Sequence, residues 1–184
     1  ASDVYKRQGY EISIKDRYAE KFINELLQCE DVKLAGLGAR NSLRMEAGLC
    51  LYGNDISSYV SPIEAGLTWS IPKERIKDGG FIGYEPIKKD IENGVERKLV
   101  GIRPLSKIPA REGTQIFDKH EKKIGEITSG GYSPTLQSPI AMGYITSDIL
   151  KSKFEVLLNV RGNLIPAEIT SLPFVEHRYF RGNK

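Results

Sequence analysis

The sequence predicts an α+β chain: a part that alternates strands with helices, followed by a small antiparallel β-barrel. Three observations predict it. Strand and helix periodicities alternate as far as about residue 95. From Glu96 onward the signal is short strands at regular intervals with turn residues between them, the pattern of a small closed sheet. The chain has 184 residues, 40% apolar and 28% charged, enough to bury a core in one domain or two small ones without staples.

Residues 9–15 read as a strand with Tyr10, Ile12 and Ile14 on one face. Asp16 is placed to cap the helix that follows, in which Tyr18, Phe22, Ile23, Leu26 and Leu27 recur at helical spacing. Residues 32–37 form a second short strand, and Gly36-Leu37-Gly38 turns the chain into a helix starting at Asn41 or Ser42. Leu43, Met45, Ala47, Leu49, Cys50 and Leu51 point several ways around that helix, which makes it a buried one, stopped at Gly53-Asn54. Ser61-Pro62 starts a short helix that ends at Gly66, and residues 67–71 read as a strand. Residues 73–93 are a polar connector with at most one short helix, 85–92.

The barrel strands are expected at 97–103, 114–117, 123–128, 140–145, 154–160 and 164–171. Phe154, Val156, Leu158 and Val160 alternate with Glu155, Leu157 and Asn159, and Arg161-Gly162-Asn163 reads as the hairpin joining the last two strands. Residues 129–134, Ser-Gly-Gly-Tyr-Ser-Pro, read as a loop.

Composition removes several classes of function. Twenty-seven basic residues against 24 acidic ones leave +3, and the clusters Lys88-Lys89 and Lys119-His120-Glu121-Lys122-Lys123 carry acids nearby. That is a solvated surface rather than a nucleic-acid face. No stretch reaches the ~18 apolar residues of a membrane span. The first residues lack an apolar h-region, so no signal peptide is expected. Cys29 and Cys50 cannot form a disulfide framework and fit a reducing compartment, and neither they nor His120 and His177 fall at zinc-ligand spacing.

Some residues invite chemistry. Gly36-Leu37-Gly38-Ala39-Arg40-Asn41 sits where a dinucleotide fingerprint would, but Asn41 occupies the place of the third glycine and no run of βαβ units follows. Arg40 and Arg44 are four apart on a mostly apolar helix, where like charges repel unless an anion faces them. The anion is either a ligand or a protein carboxylate such as Glu11, Glu46 or Glu64. Glu11 is either a solvent-facing strand residue or a reader of a 2-amino-4-oxo-pyrimidine edge, since two carboxylate oxygens match an N–H and an NH2 side by side. Trp69 and Tyr52 are either ordinary packing residues or flat walls for a ring-shaped ligand.

Residues 38–55, Gly-Ala-Arg-Asn-Ser-Leu-Arg-Met-Glu-Ala-Gly-Leu-Cys-Leu-Tyr-Gly-Asn-Asp, resemble the central motif of the glycine cleavage system T-protein, the aminomethyltransferase. Pro62-Ile63-Glu64-Ala65-Gly66-Leu67-Thr68-Trp69 is similar to that family's next motif. Gly125-Glu126-Ile127-Thr128-Ser129-Gly130, Ser133-Pro134-Thr135-Leu136, Ala141-Met142-Gly143-Tyr144 and Pro173-Phe174-Val175 are similar to its C-terminal part. The resemblance runs from Gly9 to about Tyr179.

The resemblance implies an enzyme that takes the aminomethyl group from the lipoyl arm of H-protein, passes its methylene to tetrahydrofolate and releases ammonia. It implies tetrahydrofolate and the lipoyl group as the molecules handled, H-protein as partner, and neither nucleic acid, membrane nor metal. Carried over residue by residue, folate contacts fall on Glu11, Arg40, Trp69 and Tyr179, with Arg44 and Tyr52 also in the motif. It also implies the domains: 9–80 as the C-terminal part of a partial folate-binding α/β domain, 81–95 as connector and 96–184 as the barrel. Residues 1–8 depart from the family pattern and are read as a junction or sequence artefact. The N-terminal half of the family has no counterpart here, and with it the aspartate that positions the folate amine, so no catalytic acid or base is assigned. This reads as a fragment expected to be inactive alone. The compartment implied is bacterial cytoplasm, with the mitochondrial matrix as alternative. Two other readings stay open: the T-protein-like end of a dimethylglycine or sarcosine dehydrogenase, and a non-catalytic folate-binding paralogue. The second lacks its Lys-Gly-Cys-Tyr-x-Gly-Gln mark here.

Overall fold

The computed structural model describes residues 12–151 and 155–178. They divide into two compact units, one holding residues 12–40 with His177 and Arg178, the other running from Asn41 to Glu176. Among the described residues no helix is long and apolar enough to cross a membrane.

In the first unit, helix α1 spans Asp16–Leu27. Lys15, in extended conformation, stands at the cap position without a side-chain bond. Asp16 instead lies in the first turn, where its carboxylate suits the positive end of the helix. The apolar stripe anticipated from sequence is present and uncovered: Tyr18, Ile23, Leu26 and Leu27 are all exposed. The strands expected at 9–15 and 32–37 are not found among the described residues. Residues 12–15 and 32–36 have no strand assignment and join no ladder among the described residues, and residues 9–11 of the first expected strand lie outside them.

Helix α2 spans Leu37–Glu46, starting four residues earlier than expected and ending before Gly48 rather than at Gly53. Gly48 takes a left-handed φ of +67°, and a Cβ there would come within 3.0 Å of the Leu172 side chain. Glycine therefore both ends the helix and admits the passing strand exit. The short helix expected after Ser61 is a single turn. Ser61 Oγ accepts from the Ile63 N–H, and Glu64 reaches back to the Ser61 N–H at 2.9 Å, a capping box without a helix behind it. The strand expected at 67–71 is a 3-10 turn, Thr68–Ser70. The connector carries two helices rather than one, α3 (Lys73–Asp78) and α4 (Tyr84–Asn93).

All six barrel strands form: β1 (Arg97–Pro104), β2 (Gln115–Phe117), β3 (Lys123–Ser133), β4 (Ser138–Thr146), β5 (Glu155–Val160) and β6 (Asn163–Thr170). They close antiparallel in the order β1-β4-β3-β2-β5-β6, so no edge is left. Arg161 and Gly162, both at positive φ, make a two-residue hairpin turn, one residue shorter than the expected Arg161-Gly162-Asn163, because Asn163 already pairs with Val160. The interior holds Ile102, Ile116, Ile127, Ile145, Val156 and Leu158, each fully buried or nearly so. Residues 139–145 of β4 are buried on both faces. Outside the barrel, Ile140 and Met142 pack with Met45 of α2 and Phe174 in a second cluster.

The stretch 129–134 corrects the loop expectation, since β3 runs through to Ser133. Its glycines serve close packing, not turning. A Cβ on Gly130 would collide with the carbonyl oxygen of Ala110.

Candidate functional site

Arg44 leaves the last turn of α2 and enters the larger unit's interior. One guanidinium nitrogen donates to Asp55 Oδ2 at 2.5 Å, and the other terminal nitrogen to Ser129 Oγ at 2.8 Å. Its Nε donates to Asn41 Oδ1 at 2.9 Å. Asp55 is 1% exposed, and its carboxylate is saturated: the Leu51 N–H donates to Oδ2 at 2.9 Å and the Thr128 hydroxyl to Oδ1 at 2.6 Å. The Tyr144 hydroxyl donates to the Asp55 carbonyl at 2.8 Å. Thr128 reaches Asp55 because β3 bulges between Ile127 and Ser129, where an extra residue re-aims the side chain. The pair thus ties α2, the loop at 49–56 and strands β3 and β4 together. Burial raises the Tyr144 hydroxyl pKa, with the neighbouring Cys50 thiol adding to it. The Cys50 thiol is itself pushed up by burial and by Asp55, against the pull of Arg44.

The anion facing Arg44 is therefore a protein carboxylate, but none of the three considered from sequence. Glu64 instead pairs with Arg97 at 2.8 Å, while Arg97 lies 4.9 Å over the Tyr144 ring. Glu46, 4% exposed, accepts from the Ser133 hydroxyl at 2.6 Å, the Thr135 N–H at 3.0 Å and the Thr135 hydroxyl at 2.7 Å. Burial raises its pKa, but these three donors outweigh burial and hold it below the ordinary value.

The remaining expected site residues fall as follows. Arg40 is exposed, and its guanidinium has no partner among the described residues. Trp69 is 76% exposed and Tyr52 is 73% exposed, so neither is a core residue. Glu11 and Tyr179 lie outside the described residues. Sequence reasoning missed Asp55, Thr128 and Ser129. Asp55 directly follows the Gly53-Asn54 stop, and nothing local reveals that a strand more than seventy residues on supplies its hydroxyl partner. The signal that could have found Glu46 was a carboxylate on a helix otherwise patterned for burial.

Two family models match the chain: the GCVT N-terminal domain over residues 6–75 and the glycine cleavage T-protein C-terminal barrel domain over residues 97–176. The mitochondrial aminomethyltransferase of Mesembryanthemum crystallinum is 45% identical over 175 residues, covering 94% of this chain and 43% of that protein. A probable mitochondrial aminomethyltransferase of Schizosaccharomyces pombe is 42% identical over 173 residues, 94% of this chain and 44% of its own. The crystal structure of the glycine cleavage system aminomethyltransferase T from Bartonella henselae superposes with a TM-score of 0.82 at 42% identity, covering 88% of this chain and 45% of that one. The chain thus spans less than half the length of the relatives it matches.

Proposed function

The chain belongs to the glycine cleavage T-protein family, and on that footing we propose that it carries part of the folate-binding side of an aminomethyltransferase. The reaction is transfer of a methylene from the aminomethyl-dihydrolipoyl arm of H-protein to tetrahydrofolate, with release of ammonia. The observation that carries the reading is the contrast between two arginines of one motif. Arg44 is sequestered by Asp55, whereas Arg40 is exposed with no protein anion on it among the described residues. A charge left open in this way is available to a ligand.

In this reading Glu11 grips the pterin edge through paired N–H donors, Arg40 supplies charge, and Trp69 with Tyr52 offers a flat wall. Tyr179 closes the set, and Arg44 contributes by holding the loop that carries Tyr52. These residues bind and orient; none is assigned to move a proton. Residues 9–80 form the folate part, 81–95 the connector and 96–184 the barrel domain. The mitochondrial names of the curated relatives support the mitochondrial matrix over the bacterial cytoplasm as compartment.

Trp69 is the only tryptophan, so it reports its own surroundings. Titration with tetrahydrofolate is expected to quench its fluorescence saturably, and Arg40→Ala is expected to abolish the quenching while leaving the circular dichroism unchanged. A folded chain that gives no response, or a response that survives Arg40→Ala, would overturn the reading for this chain.

A further inference from the structure

The sequence contains a single Asn-Gly pair, Asn93-Gly94, and it falls where α4 hands the chain to the first barrel strand. Asparagine before glycine is the pairing in which the next backbone nitrogen most readily attacks the side-chain amide carbon, because no Cβ obstructs the approach. A fold permits that attack only where the nitrogen is not already hydrogen-bonded and the backbone there can turn.

Both conditions are met at this pair. Asn93 is the last residue of α4, and it and Gly94 are exposed. Among the described residues the Gly94 N–H donates to no carbonyl and the Asn93 side chain has no hydrogen bond. A Cβ on Gly94 would meet nothing within 4 Å. One residue on, the chain is pinned again, since Ser147 donates its hydroxyl to the Val95 carbonyl and its N–H to the Glu96 carbonyl. The end of α3 is closed by contrast. Gly79 follows Asp78 in the same way, but its N–H donates to the Arg75 carbonyl at 3.0 Å and the Tyr84 ring would lie 2.7 Å from its Cβ.

Other asparagines are held. The Asn54 amide donates to Glu112 Oε2 at 2.7 Å, and the N–H that follows it, of Asp55, donates to the Leu51 carbonyl at 2.9 Å. Asn41 Oδ1 accepts from Arg44 Nε inside α2, and Asn159 Oδ1 accepts from the Gly162 N–H at the end of β5.

We propose that Asn93 is a self-modification site, where the chain converts its own asparagine to aspartyl and isoaspartyl linkages. The Gly94 nitrogen attacks the Asn93 side-chain carbonyl carbon and loses its proton as the new C–N bond forms. The side-chain amide nitrogen takes up that proton and leaves as ammonia, giving a cyclic imide. Water then opens the imide at either carbonyl, and nothing is oxidised or reduced. Opening at the side-chain carbonyl gives aspartate; opening at the main-chain carbonyl leaves the backbone running through the side chain, one methylene longer. Either product adds a carboxylate to the negative end of α4, whose last turn carries Asp90 and Glu92 and no base, so it loosens the helix end.

The test ages the 184-residue chain at mildly alkaline pH, folded in buffer and unfolded in guanidinium chloride. Peptide mapping by mass spectrometry reads the amide-to-acid mass gain and separates the two products. Asn93 is expected to yield both, at a folded rate within about tenfold of the unfolded one, because no hydrogen bond of the attacking nitrogen has to open first. Folding is expected to protect Asn54 more than Asn93. In the aged chain, hydrogen exchange should quicken at the end of α4 and stay unchanged in the barrel, and Asn93→Ser should remove both the mass gain and the quickening. Protection of Asn93 by much more than about tenfold on folding would overturn the proposal, because the fold would then close the site. So would an aspartyl product with no isoaspartyl form, since direct hydrolysis without attack by Gly94 gives only the former.

Discussion

Replacing Asp55 with alanine leaves the Arg44 guanidinium in an interior site with its counter-charge gone. The Arg44 side chain is 11% exposed and the Asp55 side chain 0%. Asp55→Ala also strips an acceptor from the Leu51 N–H and the Thr128 hydroxyl. Breaking one half of a buried, hydrogen-bonded ion pair costs about 3–5 kcal/mol. For a chain of this size that lowers Tm by on the order of 10 °C. Arg44→Met should cost a similar amount, since it leaves a buried carboxylate with two donors where it had three. The double variant should then be less damaging than the sum by about 1–3 kcal/mol, because the second removal relieves the charge the first one stranded. Urea unfolding followed by circular dichroism measures all four corners of the cycle. Little change with added salt is also expected, since buried pairs are screened weakly. Additive costs, or a single-variant cost below about 1 kcal/mol, would refute the reasoning, because that is how a solvated surface pair behaves.

Glu46 makes stability depend on pH. Its folded pKa lies below the ordinary 4.5, so its contribution is complete above that value and is lost as pH falls through the folded pKa. Glu46→Gln should lower stability by about 2 kcal/mol at neutral pH and flatten that acid limb, which urea midpoints measured down the pH scale will show. Gly130→Ala should cost about 1–3 kcal/mol by forcing the Ala110 carbonyl away from β3. The accompanying sign is faster hydrogen exchange at the Gly113 amide, whose acceptor is the Ile127 carbonyl.

Much of the barrel was legible because its physics is local. Val156 and Leu158 are fully buried while Glu155, Leu157 and Asn159 between and beside them are not, the period that a strand facing a closed core on one side must show. Arg161-Gly162 announces its turn because few residues tolerate two successive positive φ values. The glycine pair in β3 misled for the opposite reason. Gly130 looks like turn chemistry, yet its lack of a side chain is used by a backbone twenty residues away. The stretches at 9–15 and 32–37 carry strand patterns, but a strand needs a neighbour, and no pattern within the stretch supplies one.

For the candidate site, the residues were readable one by one but not their partners. The expectation of a buried helix fails, since only Met45 and Glu46 of α2 are buried, but the argument that a buried arginine needs an anion holds for Arg44. Which carboxylate answers is decided by loop 49–56 folding back to place Asp55 under the guanidinium, and by a bulge turning Thr128 onto the same carboxylate. By itself the sequence determined the periodicities, the turns, the family motifs and the presence of unpaired charge, since each depends on neighbours a few positions apart. Only the tertiary structure decided that Asp55 takes Arg44 while Arg40 has no anion on it among the described residues, and that Arg111 and Glu112 share a hollow with Asn54. Those assignments depend on which segments the closing of the barrel brings within hydrogen-bond reach, a distance of about 3 Å that no spacing along the chain encodes.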